Sequence, residues 1–119
     1  MATTLKTLER ALQTLDDAIA QPKNEFLRDA VIQRFEYTIE LAWRVSQKLM
    51  GSSSTAPKVV IREMASQGLI TDALAWFEYI DRRNETSHIY NEEVAERVYL
   101  AAVKFAGDCK KLLVSLATL

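Results

Sequence analysis

From Leu5 onward the apolar residues Leu8, Leu12, Leu15 and Ile19 recur three and four apart, which predicts a helix with one stripe turned toward a partner. Gln21 and Pro22 end it, because proline lacks a backbone donor and restricts the residue before it; the same proline can open the next helix at its first turn. A second, long helix is predicted from about Asn24 to Met50. Leu27, Val31, Phe35, Ala42, Val45 and Leu49 lie along one side of it, and Ile32, Ile39 and Trp43 widen that side enough to meet more than one neighbour. Gly51 and the polar run Ser52 to Thr55 form a loop within one unit rather than a domain boundary. Pro57 starts a short helix through Val60, Ile61 and Met64, closed by Gly68. Thr71 or Asp72 caps a fourth helix carrying Leu74, Trp76, Phe77 and Ile80. Asn91 caps a last long helix, with Glu92 and Glu93 complementing its dipole and Val94, Val98, Ala102, Phe105, Cys109, Leu112 and Leu116 along one stripe.

No segment alternates with the period of a half-buried strand; Lys58 to Ile61 comes nearest, and it follows a proline that fits a helix start better. The expectation is an all-α chain of about five helices forming an antiparallel, four-helix-bundle-like domain over residues 1–119. Wide apolar faces on the second and last helices exceed what one small bundle must bury, so self-association as a homodimer is expected too.

Composition narrows the function. At 119 residues, 49% hydrophobic and 26% charged, the chain falls in the ordinary globular range. A net charge of −1 supplies no global basic field, so any contact with nucleic acid must be local. The lone cysteine, Cys109, cannot form an intrachain disulfide and reads as a buried hydrophobe. The N-terminus has no apolar signal region and no stretch is long enough to span a bilayer, which points to a reducing cytoplasm.

Candidate chemistry concentrates in Arg83-Asn84-Glu85-Thr86-Ser87-His88-Ile89-Tyr90, which holds the one histidine of the chain. On an unbroken helix, five steps of ~100° set Arg83 and His88 about 140° apart, and His88 and Tyr90 about 160° apart, so they could not converge. A helix end is therefore expected here. Asn84, Thr86 and Ser87 bond readily to local backbone, and no apolar residue from Asp81 to His88 holds a buried face. An imidazole exchanges protons near neutral pH and a guanidinium grips phosphate with paired donors, a combination suited to phosphodiester chemistry. RNA brings its own nucleophile, the 2′-hydroxyl, so no metal or cofactor is needed. One histidine and no clustered cysteines also argue against zinc. Plainer roles stand beside these: His88 as a cap or hydrogen-bonding residue, Arg82 and Arg83 paired with Glu78, Asp81 or Glu85, and Tyr90 as packing. Glu36 and Glu40, one turn apart on the second helix, could orient the site and are left outside the catalytic set. Trp43, Trp76 and Phe77 read as packing rather than base-stacking platforms.

The Arg83-to-Tyr90 segment resembles the signature of the HEPN superfamily in its HepT-like branch: Arg, four residues, His, any residue, Tyr. The resemblance extends to the block from Asp29 to Trp43, to the block from Pro57 to Met64, and to Asn84 and Asn91. Across most of its length the chain is also similar to the small nucleotidyltransferase substrate-binding proteins. This resemblance implies a homodimeric, metal-independent endoribonuclease toxin with Arg83 and His88 as catalytic residues. Asn84 would be a supporting hydrogen-bonding residue. The antitoxin would be a minimal nucleotidyltransferase that adds AMP to Tyr90. A non-catalytic subunit that binds a nucleotide or substrate for that nucleotidyltransferase is the alternative, with Arg83 gripping phosphate and His88 orienting it.

Overall fold

The structure, a computed structural model, describes residues 3–119. Its helices are α1 (Leu5–Ile19), α2 (Glu25–Met50), α3 (Pro57–Ser66), α4 (Ala73–Asn84) and α5 (Glu92–Ala117), with one 3-10 turn, Thr86–His88, between the last two. No strand forms among the described residues. None of the described helices is long and apolar enough to cross a membrane.

Local chemistry explains the boundaries. Thr4, Asn24, Asp72 and Asn91 each accept hydrogen bonds from first-turn amides of the helix they precede, satisfying donors that have no partner inside the helix. Of the two residues able to cap α4, Asp72 does so. Gly51, at φ 70°, closes α2 in the left-handed region that costs glycine least. Pro57 opens α3 as expected, but Pro22 opens nothing: the capping side chain of Asn24 sets the start of α2 at Glu25, leaving the proline in the connection.

Side-chain pairs reveal the helix directions. Thr14 meets Tyr37, and Lys48 reaches the carbonyl of Thr3, so α1 and α2 are antiparallel. Asp16 pairs with Lys110 and Lys23 with Glu96, so α1 also opposes α5. Arg28 with Glu92 and Phe35 against Phe105 show α2 and α5 running the same way, a parallel pair within the otherwise antiparallel bundle. Glu85 with Arg97 and Tyr79 with Asp108 set α4 antiparallel to α5.

One apolar cluster joins all five helices. Trp43 and Trp76 are buried in it, as their stripes predict. Phe77 is only half-buried and is covered by the Arg62 guanidinium, 5.5 Å from its ring centre. Leu49 and Leu74 depart from their predicted stripes and are exposed, although their neighbours Met50, Ala73 and Ala75 pack on the core at the same helix ends. Thr38 and Ser46, buried inside α2, return their hydroxyl hydrogens to the carbonyls of Arg34 and Ala42, so no polar atom is left wanting there. Cys109 is buried, and desolvation pushes its thiol up to about 12.

Candidate functional site

The break expected between Arg83 and His88 is present. α4 stops at Asn84, and the Thr86 hydroxyl donates to the carbonyl of Arg83, taking up one acceptor released by the helix end. The His88 amide donates to the carbonyl of Glu85 and the Asn91 amide to that of His88, closing two successive tight turns. Asn91 then accepts from the amides of Glu93 and Val94, and α5 begins.

The turn is anchored on both sides. The Glu85 carboxylate meets Arg82 of α4 at 2.8 Å and Arg97 of α5, and the Arg97 hydrogen bond holds it below the usual carboxylate range. Five residues earlier, at the start of α5, Glu92 receives both terminal amino groups of Arg28, at 2.7 and 3.1 Å. Arg28 is buried, and this two-pronged pair ties the start of α2 to the start of α5 just beyond Tyr90.

Within this frame the predicted residues divide into two groups. His88 and Tyr90 are both exposed and lie edge to face, ring centres 6.1 Å apart and planes at 73°. Tyr90 is 83% exposed, which excludes packing within the bundle core. Arg83 turns the other way, toward α2, where its Nε lies 3.4 Å from Glu40. That Nε is buried and makes no hydrogen bond among the described residues. Glu40 also receives the Trp43 indole at 3.3 Å and the Arg44 guanidinium at 3.1 Å, so it is a hub and not a solvated carboxylate. Neither a hydrogen bond nor an ion pair among the described residues joins Arg83 to His88. The role of pairing partner foreseen for Arg82 falls to Glu85, while Arg83 takes the α2 partner.

Arg83 and Asn84 open onto a cavity of about 370 Å³ between α2, α3 and α4. Ala56, Pro57 and Ile80 supply apolar wall, and Glu40 and Lys58 supply polar rim, with Lys58 held by Asp81 at 2.7 Å. Sequence reasoning passed over Ala56, Pro57 and Lys58 as parts of a site, since nothing along the chain signals that the start of α3 abuts the end of α4. Among the described residues no group of three or more His, Cys, Asp and Glu side chains gathers where it could hold a metal.

Such an arrangement offers one exposed imidazole for proton transfer, one guanidinium facing Glu40 in an ion pair, and an exposed phenol beside the imidazole. Residues 3–118 match the protein family described as nucleotidyltransferase substrate binding protein like. A Haemophilus influenzae protein named probable ribonuclease HepT is 29% identical, over 92% of this chain and 88% of that one. A crystal structure of a Thermus thermophilus protein superposes with a TM-score of 0.85 at 34% identity, covering 92% of this chain and 98% of the other. A Haemophilus influenzae structure, described as revealing the fold of a substrate binding domain of a nucleotidyltransferase, superposes with a TM-score of 0.82 at 29% identity. It covers 95% of this chain and 98% of the other.

Proposed function

Because the chain belongs to the nucleotidyltransferase substrate binding protein-like family, we propose that it is a metal-independent endoribonuclease toxin whose antitoxin is a minimal nucleotidyltransferase. The observation that carries this reading is the helix break after Asn84, which leaves His88 and Tyr90 exposed on a braced turn directly after Arg83. His88 removes the proton of a 2′-hydroxyl, and the resulting alkoxide attacks the adjacent phosphorus. The bond from phosphorus to the 5′-oxygen breaks, leaving a 2′,3′-cyclic phosphate and a 5′-hydroxyl once the leaving oxygen is protonated. Arg83 holds the non-bridging oxygens as charge builds on them, and Asn84 supports it with a substrate hydrogen bond. With one histidine per chain, a base and an acid acting in the same turnover come from two copies, which is why the active species is a homodimer sharing one cleft.

Tyr90 is the accepting residue for the antitoxin. Its oxygen attacks the α-phosphorus of ATP on the nucleotidyltransferase, forming a phosphodiester to AMP and releasing pyrophosphate. That puts a negative charge and an adenosine two residues from His88, where the RNA phosphate must approach. The family description and the Haemophilus influenzae structure favour an alternative in which the chain presents a nucleotide or substrate to the nucleotidyltransferase without cutting RNA.

Intact mass of the purified chain, with and without the nucleotidyltransferase and ATP, tests the pairing. The expected result is one or more AMP units on Tyr90, none on Y90F, and loss of RNA cleavage on modification. An unmodified chain that is inert toward RNA would leave only the substrate-presenting reading.

A further inference from the structure

We infer that the cavity beside Arg83 is a nucleobase pocket, and that it takes the base of the nucleotide whose phosphate Arg83 holds. The inference deepens the ribonuclease reading and rests on it for the identity of the polymer. It does not rest on it for the pocket's chemistry.

At about 370 Å³, the cavity lies within the range of small-molecule pockets, roughly 300–1,000 Å³, and has room for one base with its ribose. Its composition suits a flat heterocycle. Pro57 and Ala56, at the start of α3, and Ile80 of α4 present apolar surface to a ring face. Polar groups stand around that surface, where a base carries its hydrogen-bonding edge. The Asn84 carboxamide is exposed and able to donate and accept, and the Glu40 carboxylate accepts only. RNA in single-stranded form exposes both the face and the edge of its bases, so this is the usual way proteins read it.

The position of Arg83 links the pocket to the phosphate. Its Nε is turned inward toward Glu40, and no described residue bonds its two terminal amino groups. With Nε facing Glu40 in an ion pair and not in a hydrogen bond, the terminal amino groups remain available to one phosphate. A phosphate there stands at the mouth of the cavity that Arg83 and Asn84 line, within reach of a base seated against Pro57. The Lys58 ammonium at the same rim is already paired with Asp81 at 2.7 Å, so the countercharge for the phosphate comes from Arg83.

Glu40 makes the pocket selective. A carboxylate repels carbonyl oxygens and accepts from amino groups. Adenine, cytosine and guanine each carry an exocyclic amine, whereas uracil presents carbonyls on either side of its one N–H. Uridine nucleotides are therefore the weakest ligands.

The test is titration of the full-length chain with 3′-AMP, 3′-GMP, 3′-CMP, 3′-UMP and inorganic phosphate, followed by backbone amide NMR and calorimetry. Shifts are expected at Ala56, Lys58 and Asn84, with 3′-UMP bound weakest among the nucleotides and phosphate weaker still. Ala56→Trp fills the cavity from an exposed position that makes no capping hydrogen bond. It is expected to weaken nucleotide binding roughly tenfold or more, which is about 1.4 kcal/mol, while leaving phosphate binding unchanged. Phosphate binding as tightly as the nucleotides, shifts confined to other faces, or undiminished nucleotide binding by A56W would each overturn the pocket. Binding needs no turnover, so the two readings fail separately. A chain that binds nucleotides and never cuts RNA keeps the pocket and loses the ribonuclease, and a chain that cuts but binds none of them does the reverse.

Discussion

Phe105 shows how much a single side chain can organise. Phe35 of α2 and Trp76 and Tyr79 of α4 each meet its ring edge-on, with centroids 5.4, 5.5 and 5.4 Å away. Edge-to-face contact sets the positive rim of one ring against the negative face of another, so these pairs add to simple burial. Phe105→Ala is expected to lower stability by about 3–5 kcal/mol, the usual cost of emptying a buried aromatic site, read from the urea midpoint of the far-ultraviolet circular dichroism. Phe35, Trp76 and Phe105 were all legible as members of apolar stripes. Tyr79 was not, because its ring is buried while its hydroxyl donates to Asp108, a partner 29 residues away. Burial, and then the Asp108 contact, push that phenol well above its ordinary value. Glu40 was underrated for a related reason: its spacing to Glu36 was visible, but its meeting with Arg83 depends on how α4 lies against α2.

The element that matters most is the joint between α4 and α5. Its existence could be read in advance, because a helix running through Arg83, His88 and Tyr90 would have scattered them and the residues between favour turns. Its bracing could not, since Glu85 with Arg97 and Arg28 with Glu92 are pairs between separate elements. Helix starts were read well where a side chain caps them, and poorly at Pro22, whose ring permits a helix start without compelling one. The joint also carries a pH signature. Arg97 holds the Glu85 carboxyl below its ordinary 4.5, so this pair adds stability in full above that value and loses it as pH falls through and beneath it. Arg97→Met should therefore lose less stability than the parent between neutral and acid pH, with the two converging once Glu85 is protonated. Urea midpoints measured across that range check this, and parallel curves would show that the Arg97 contact contributes nothing to acid sensitivity.

At the scale of the whole molecule, which is 39 Å in its longest dimension, α1, α2, α4 and α5 form a bundle, and α3 leans on α2 and α4 so that its first turn walls the cavity at Arg83. The bundle itself was legible from helical periodicity. The cavity was not, because it needs three helices whose order along the chain says nothing of their spacing at that end. What the molecule does with this arrangement depends on whether the exposed histidine and the arginine facing Glu40 act on RNA. The most direct measurement is cleavage of a single-stranded RNA by the purified chain in chelator, compared with H88A and R83A, with the termini of the products identified by mass. The account predicts cutting by the parent that leaves 2′,3′-cyclic phosphates, no cutting of the DNA counterpart, and loss of cutting in both variants with the helical fold retained. Cleavage that survives in H88A, or that requires an added metal ion, would contradict it.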